Sequence, residues 1–135
     1  MLRFLISLFI ILHGLVHLWY FTLSHGLVEF KPEMGWTGRS WILSGFLGDT
    51  IVRSVASTLF VVAAIAFMIS GVGTLLRAEW WRTILLGSAI LYFMILFLFW
   101  DGSMQMVIQK GLIGFLISLA ILLMVPLFKQ SFVVS

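Results

Sequence analysis

A single stripe of polar side chains on the first apolar segment is the feature of this sequence best suited to chemistry. His13, His17, Tyr20 and Ser24 follow one another at spacings of four, three and four residues. On an α-helix these spacings place all four side chains on one face over about three turns. Imidazole, phenol and hydroxyl groups donate and accept hydrogen bonds, so this face predicts a site that binds a polar group or transfers a proton.

The segment that carries the stripe has no charged residue from Phe4 to Val28. An unsatisfied donor in hydrocarbon costs several kcal/mol, so the helix must turn the stripe toward protein or toward a water-filled cavity. The low dielectric of such a position disfavours the imidazolium. We therefore expect His13 to be neutral, with one ring nitrogen that donates and one that accepts a hydrogen bond.

Two interpretations of the stripe stay open. In the first, its histidines hydrogen-bond to backbone carbonyls or polar side chains of neighbouring helices and fix their register. The candidate side-chain partners are Ser70, Thr74, Ser88 and Tyr92. In the second, the stripe lines a pocket for an apolar small molecule with a polar head, such as a quinone or a lipid, because intramembrane ionisable residues often mark functional sites. The ligand-binding residues of the second interpretation are His13, His17, Tyr20, Ser24 and Asp101.

Metal and haem fit the stripe less well. Two histidines at i and i+4 can coordinate one metal ion from a single helix face. No Asp or Glu lies inside an apolar segment to complete the ligand set. The two imidazoles on opposite sides of a haem cannot come from one face of one helix. The chain has no cysteine, which excludes thiolate nucleophiles and iron–sulfur clusters. We therefore expect neither a metal site nor haem.

The composition places these residues in a membrane protein. Of the 135 residues, 62% are apolar and 10% are charged, against about 25% charged in soluble proteins. This apolar content suffices for four crossings of about 20 residues each and leaves almost nothing for a soluble domain. The eight basic residues are scattered singly along the chain, so nucleic acid is excluded as a partner.

The hydropathy pattern predicts an all-α fold, an integral membrane four-helix bundle formed by the whole chain, 1–135. The predicted spans cover about 4–24, 54–76, 83–100 and 111–128. One long interfacial connection joins the first two helices. Four crossings return both termini to one side, and the higher density of Lys and Arg near the helix ends on that side makes it the cytoplasmic side of the cell membrane.

The long connection is expected to lie on the membrane interface and to cover the open end of the bundle. The residues assigned to this covering segment are His25, Trp36, Arg39 and Trp41. Asp101 follows a helix C-terminus, where the macrodipole disfavours an anion unless a cation offsets it. We therefore expect Asp101 to pair with Arg39 or Lys110 and to hold the connection in place.

Short motifs of the chain resemble a known group of membrane proteins. They are His13-Gly14-Leu15-Val16-His17, Trp100-Asp101-Gly102 and Lys110-Gly111-Leu112-Ile113-Gly114. These motifs look like those of small four-helix prokaryotic membrane proteins, which are similar in size and layout to the DoxX-like proteins. The resemblance runs over most of the chain. It implies a four-helix bundle and, for some DoxX-like members, an association with quinone-linked thiosulfate oxidation.

Two functional hypotheses follow. The first is a non-catalytic membrane protein, either an accessory subunit of a larger membrane complex or a binder of a lipid-like or quinone-like molecule, because the spans contain no nucleophile–base pair and no pair of carboxylates. The alternative is a DoxX-like membrane oxidoreductase or proton-coupled carrier that uses the histidine face. No residue is assigned a catalytic role. The expected partners are the lipid bilayer and either other membrane subunits or further copies of this chain.

Cysteine inserted after Met1 in one variant and after Ser135 in another tests the four-span prediction. Both cysteines should show the same reactivity toward a membrane-impermeant thiol reagent in intact cells, because an even number of crossings returns the termini to one side. The chain has no other cysteine, so labelling reports only the inserted one. Opposite reactivity of the two variants would indicate an odd number of crossings.

Overall fold

The computed structural model describes residues 1–29, 37–102, 104 and 112–127. Within these ranges the chain forms helices and no strand. The helices are α1 (Leu2–Ser24), α2 (Ser44–Leu47), α3 (Asp49–Leu75), α4 (Trp81–Leu98) and α5 (Leu112–Leu127). The all-α class predicted from the sequence is confirmed.

Three of the helices, α1, α3 and α4, are long and apolar enough to cross a membrane. At a rise of about 1.5 Å per residue, the 18 residues of α4 extend over about 27 Å, and α1 and α3 are longer. The hydrocarbon core of a bilayer is about 30 Å thick. α5 is apolar as well but has only 16 residues. The lengths and composition of the three longer helices fit the membrane class predicted from the sequence.

The start of α3 differs from the start of the predicted second span. The helix begins at Asp49, before the predicted start near Ser54. Gly48, with a φ of 78°, separates α2 from α3, and Asp49 then lies in the first turn of α3, where the helix dipole favours an acidic side chain. The apolar run itself begins only after Arg53, whereas α3 also includes the charged residues Asp49 and Arg53 before it.

Contacts along α1 show how the helices are directed. α1 packs on α3, α3 on α4, and α4 on α5. Ser7 near the start of α1 contacts Gly71 near the end of α3, and Tyr20 near the end of α1 stacks on Phe60. α1 and α3 therefore run in opposite directions. The short link between α3 and α4 reverses the chain again, so α1 and α4 end on the same side, which we call the connection end.

α5 runs opposite to α4. Phe115, early in α5, contacts Phe93 in the second half of α4, with ring centroids 4.9 Å apart. Val125, late in α5, belongs to the same buried cluster as Leu85 in the first half of α4. The described part of α5 therefore ends on the side where α1 begins.

Two glycines bring the backbones of α1 and α3 together. A Cβ added to Gly14 would lie 2.9 Å from the Cβ of Phe67 and 3.0 Å from the carbonyl oxygen of Ala64. A Cβ added to Gly71 would lie 3.0 Å from the carbonyl oxygen of Ser7, whose hydroxyl donates to the Gly71 carbonyl oxygen at 2.6 Å. Small residues permit this approach in lipid, where no hydrophobic effect drives helices together.

The Gly14→Ala substitution tests this contact, and Gly87→Ala in α4 is its control. Gly14→Ala should lower the free energy of unfolding by about 1–3 kcal/mol, because the added methyl group meets backbone and Cβ atoms that cannot rotate away. Gly87→Ala places a methyl group with nothing within 4 Å and should be neutral or stabilise by up to about 1 kcal/mol. Reversible unfolding in detergent, followed by circular dichroism, measures both. Equal effects would contradict the close approach.

Candidate functional site

The polar stripe of α1 faces the interior of the protein, as predicted, wherever its side chains are described. His13, His17 and Tyr20 are buried, and His17 is only 1% exposed. The His17 ring stacks on Phe67 of α3 with centroids 5.2 Å apart, and it lies 4.5 Å from the ring of Tyr92 of α4. The two imidazole centroids are 5.0 Å apart. Three helices therefore enclose the histidine pair.

Apolar clusters flank the pair along the helix axes. The cluster toward the connection end consists of Tyr20, Val52, Ala56, Phe60, Ala63, Ile95 and Phe99. The cluster on the other side consists of Ile10, Phe67, Leu85, Ala89, Tyr92 and Val125. These surroundings give the imidazoles a low dielectric, which strengthens any hydrogen bond made there and raises the cost of an unmade one.

The hydroxyl groups predicted to bond the histidines bond to backbone carbonyls instead. Ser70 donates to the Trp81 carbonyl oxygen at 2.9 Å, which joins α3 to the start of α4. Thr74 and Ser88 donate to carbonyl oxygens four residues earlier in their own helices, at 2.9 and 2.7 Å. Serine and threonine satisfy themselves in this way inside helices. The prediction that these three side chains bond to the histidines is therefore wrong, and Tyr92 meets His17 through its ring.

Three imidazole nitrogens are buried without a hydrogen-bond partner in the described part of the chain. They are Nε2 of His13 and both Nδ1 and Nε2 of His17. A buried polar group left unpaired costs about 1–3 kcal/mol, and such groups are rare in folded proteins. Among the described residues, the pair therefore has a capacity for hydrogen bonding that no protein group meets.

A cavity of about 210 Å³ adjoins the histidine pair. Besides both histidines and Tyr20, its lining includes Val16 of α1, Tyr92 of α4, and Ile113 and Gly114 of α5. Val16 and Ile113 are 59% and 61% exposed on the outside of the protein. The cavity therefore reaches the lateral surface between α1 and α5.

Gly114 shapes the wall of the cavity where α4 meets α5. A Cβ at this position would collide with the hydroxyl oxygen of Tyr92, so only glycine lets the Tyr92 ring lie between α4 and α5. Gly114 and the apolar lining residues Val16 and Ile113 were not among the residues predicted for the site. Apolar positions on a membrane helix carry no signal that separates a cavity wall from a lipid-facing surface.

Other residues predicted for the site lie away from the cavity or outside the described residues. Asp101 follows the end of α4, and the described lining of the cavity does not include it. The side chain of Ser24 lies outside the described residues. His25 is exposed, and its ring centroid lies 4.5 Å from that of Phe21. It lines a separate groove with Ser57 and other residues of α3. Ligand binding by Asp101 and Ser24 stays a prediction, and so does the place of His25 in the covering segment.

The long connection docks on the C-terminal end of α4. The backbone N–H of Trp41 donates to the Trp100 carbonyl oxygen at 2.7 Å, and its indole Nε1–H donates to the Phe97 carbonyl oxygen at 2.8 Å. The hydroxyl of Ser40 donates to the Leu98 carbonyl oxygen. Carbonyls at a helix C-terminus have no partner in their own helix. Ser40 and Trp41 therefore satisfy the end of α4 and hold the connection on it.

Arg39 of the connection forms an ion pair with Asp49. Its Nε lies 3.3 Å from Oδ2 of Asp49, and both side chains are well exposed, so the pair contributes about 0–1 kcal/mol. Pairing of Asp101 with Arg39 or Lys110 stays a prediction. Lys110 and Trp36 lie outside the described residues.

Comparison with protein-family models, curated proteins and solved structures finds no match to this chain. The resemblance to DoxX-like proteins therefore rests on the sequence motifs alone. In the described part of the chain, no three His, Asp or Glu side chains lie close enough together to hold a metal ion. The cavity and the histidine pair are thus the features from which a function can be argued.

The Ser40→Ala substitution tests the docking of the connection, with Ser54→Ala as control. Ser40 is buried and accepts from the backbone N–H of Leu43 as well as donating to α4, so its loss should cost about 1–3 kcal/mol and should raise protease cleavage between residues 37 and 48. The exposed Ser54 hydroxyl bonds within its own helix to Thr50, and its loss should change stability by less than about 0.5 kcal/mol. Unchanged cleavage in Ser40→Ala would show that the connection is held by other contacts.

Proposed function

We propose that this protein is a multi-pass membrane protein that binds a lipid-like or quinone-like molecule in the cavity between α1, α4 and α5. One observation carries the proposal: His17 lines the cavity, and both of its ring nitrogens are buried without a partner among the described residues. A polar head at the histidine pair would supply the missing hydrogen bonds. The apolar body of the same molecule would contact the aromatic and aliphatic walls, as in ligand pockets generally.

The lateral opening supports a ligand that arrives from the membrane. Tyr20 and Phe60 stack with ring centroids 4.8 Å apart on the connection-end side of the histidines, and Phe99 packs in the same buried cluster. These side chains fill the interior between α1, α3 and α4 on that side. Val16 and Ile113, by contrast, are exposed at the lateral surface. A molecule dissolved in the lipid can enter between α1 and α5 without crossing the core.

The proposal includes α5 as a fourth crossing, with both termini in the cytoplasm. The helix contributes Ile113 and Gly114 to the cavity wall, so the site is complete only when α5 lies beside the three longer helices. Its 16 residues extend over about 24 Å, a few ångströms less than the hydrocarbon core. A bilayer adapts to such a difference by local thinning at a modest cost.

The volume of the cavity limits the size of the bound head. An engineered cavity of about 150 Å³ holds one benzene molecule, and this cavity measures about 210 Å³. It therefore accommodates a single ring or a head group of similar size. A longer chain attached to that head must lie outside the cavity, along the lipid-facing surface between α1 and α5.

The His17→Leu substitution tests this function. The variant should lose the bound molecule, while the ligand-free protein should unfold at the same or a higher denaturant concentration, because leucine removes two polar atoms that have no protein partner. Mass spectrometry of small molecules that co-purify in mild detergent measures retention. Circular dichroism of the same samples measures stability.

His25→Leu is the matched control, since it makes the same change at an exposed histidine outside the cavity. It should keep the bound molecule. Equal retention in wild type and His17→Leu would contradict the proposed binding site. A strongly destabilised ligand-free His17→Leu protein would indicate that His17 has a structural role instead.

A further inference from the structure

We infer that a bilayer phospholipid binds in a groove on the outer surface between α1 and α3, with its head at the connection end. We call this the α1–α3 groove. Its volume is about 330 Å³, and its described lining includes Phe21, His25, Ser54, Thr58, Val61 and Val62. It shares no described lining residue with the cavity beside the histidine pair. The phospholipid is therefore distinct from the molecule proposed for that cavity.

The lining of the α1–α3 groove changes from polar to apolar along α3. Ser54 and Thr58 lie toward the start of α3 and line the groove together with His25, whereas Val61 and Val62 lie farther along the helix. The hydroxyls of Ser54 and Thr58 donate to carbonyl oxygens four residues earlier in α3, so an apolar chain can cover them without leaving a donor unpaired. A phospholipid has the same order, a polar head followed by an apolar chain.

The groove has about the length of one membrane leaflet. Val62 is the middle residue of the 27-residue helix α3, so it lies near the middle of the bilayer when α3 crosses it. Ser54 is one of the residues nearer the start of α3, at a distance along the helix of about 12 Å for a rise of about 1.5 Å per residue. Half of the hydrocarbon core is about 15 Å thick. The groove therefore extends from near the head groups to the midplane, as an acyl chain of one leaflet does.

The end of α1 fixes the polar end of the groove. Gly26, with a φ of 65°, ends the helix, and the N–H of Leu27 donates to the carbonyl oxygen of Thr22 at 3.0 Å. This turn keeps His25 over the last turn of α1, where its ring centroid lies 4.5 Å from that of Phe21. The imidazole is thereby held beside the first turns of α3.

The packing between α1 and α3 leaves room for the groove. At this level the rings of Tyr20 and Phe60 stack between the two helices. Gly14 and Gly71 bring the backbones together only farther from the connection end. Two aromatic rings keep helices farther apart than glycines do. Val62 is 46% exposed and continues the groove into the outer apolar surface of α3.

The charges at the polar end suit a phosphate group. The described lining includes no acidic side chain, and the exposed His25 can donate a hydrogen bond to a phosphate oxygen. The exposed Arg53 directly precedes Ser54 and brings a positive charge to this end of α3. Asp49, one turn earlier, is paired with Arg39. A phosphate at the polar end therefore meets groups that attract it.

Substitution of Val62 by tryptophan tests the groove, and the same substitution of Val72 is its control. Both valines belong to α3, and they are 46% and 45% exposed, but Val72 is not in the described lining. Dioleoylphosphatidylglycerol is titrated into delipidated protein in maltoside detergent, and native mass spectrometry counts the bound lipids. Val62→Trp should weaken binding about tenfold or more, because loss of contact with two methylene groups already has this effect. Val72→Trp should keep the wild-type affinity.

Thr58→Trp is a second groove variant, one turn nearer the polar end, and should weaken binding as Val62→Trp does. Circular dichroism verifies that each variant keeps its helix content. Wild-type affinity in both groove variants, or equal weakening in Val72→Trp, would overturn the inference. A wild-type dimer that Val62→Trp makes monomeric, with lipid binding unchanged, would also overturn it, because a second copy of the chain would then occupy the groove.

Two further measurements place the head and separate this lipid from the molecule in the cavity. Dioleoylglycerol has the same chains but no phosphate, and it should bind the wild type about two- to fivefold more weakly, which is the effect of an exposed charge contact. Equal affinity would overturn the placement of the phosphate beside His25. His17→Leu should leave phospholipid binding unchanged. Lost binding in His17→Leu with retained binding in both groove variants would place the lipid in the cavity and overturn the groove site.

Discussion

The close contact between α1 and α3 at Gly14 and Gly71 is the constraint on which the candidate site depends. Backbone atoms of the two helices would meet any side chain placed at these positions, so α1 can neither rotate nor slide without losing the contact. His13 precedes Gly14 directly and His17 follows one turn later, which presses both imidazoles against Phe67. Lipid supplies no hydrophobic drive for this association. Close packing and the bond from Ser7 to Gly71 must maintain it.

The same environment explains why the histidines and the hydroxyl side chains behave differently. Every polar group inside a membrane must find its partner within the protein or its ligand. Thr74 and Ser88 reach the carbonyl four residues back, because a short side chain on a helix lies beside that oxygen. The imidazole of His17 is held between the rings of Phe67 and Tyr92, neither of which offers its nitrogens a hydrogen bond in this arrangement. Among the described residues, the hydrogen bonds of His17 are therefore unmet.

The sequence predicted what depends on periodicity and failed where a feature depends on packing. The helical spacing of His13 and His17 and their polarity were enough to place them on the inner face. Uninterrupted apolar runs were enough for the all-α class and for three of the four predicted spans, those of α1, α3 and α4. The role of Gly114 depends on where α4 lies, which no local pattern encodes. The connection docks on backbone carbonyls at the end of α4, and every sequence has such carbonyls. The pattern of charged residues therefore indicated Asp101 and gave no signal for Ser40. The Ser40 hydroxyl bridges segments 58 residues apart.

The placement of α5 decides whether the cavity exists at all. Among the described residues α5 packs chiefly on α4, and its contact with α1 is slight. A fourth helix that packed closely on α1 would fill the space beside His17 with side chains and close the lateral opening. Because Gly114 lets the Tyr92 ring lie against α5, α5 is held by α4 on one side and leaves a gap toward α1 on the other. The gap reaches the lateral surface of the protein, where Val16 and Ile113 are exposed.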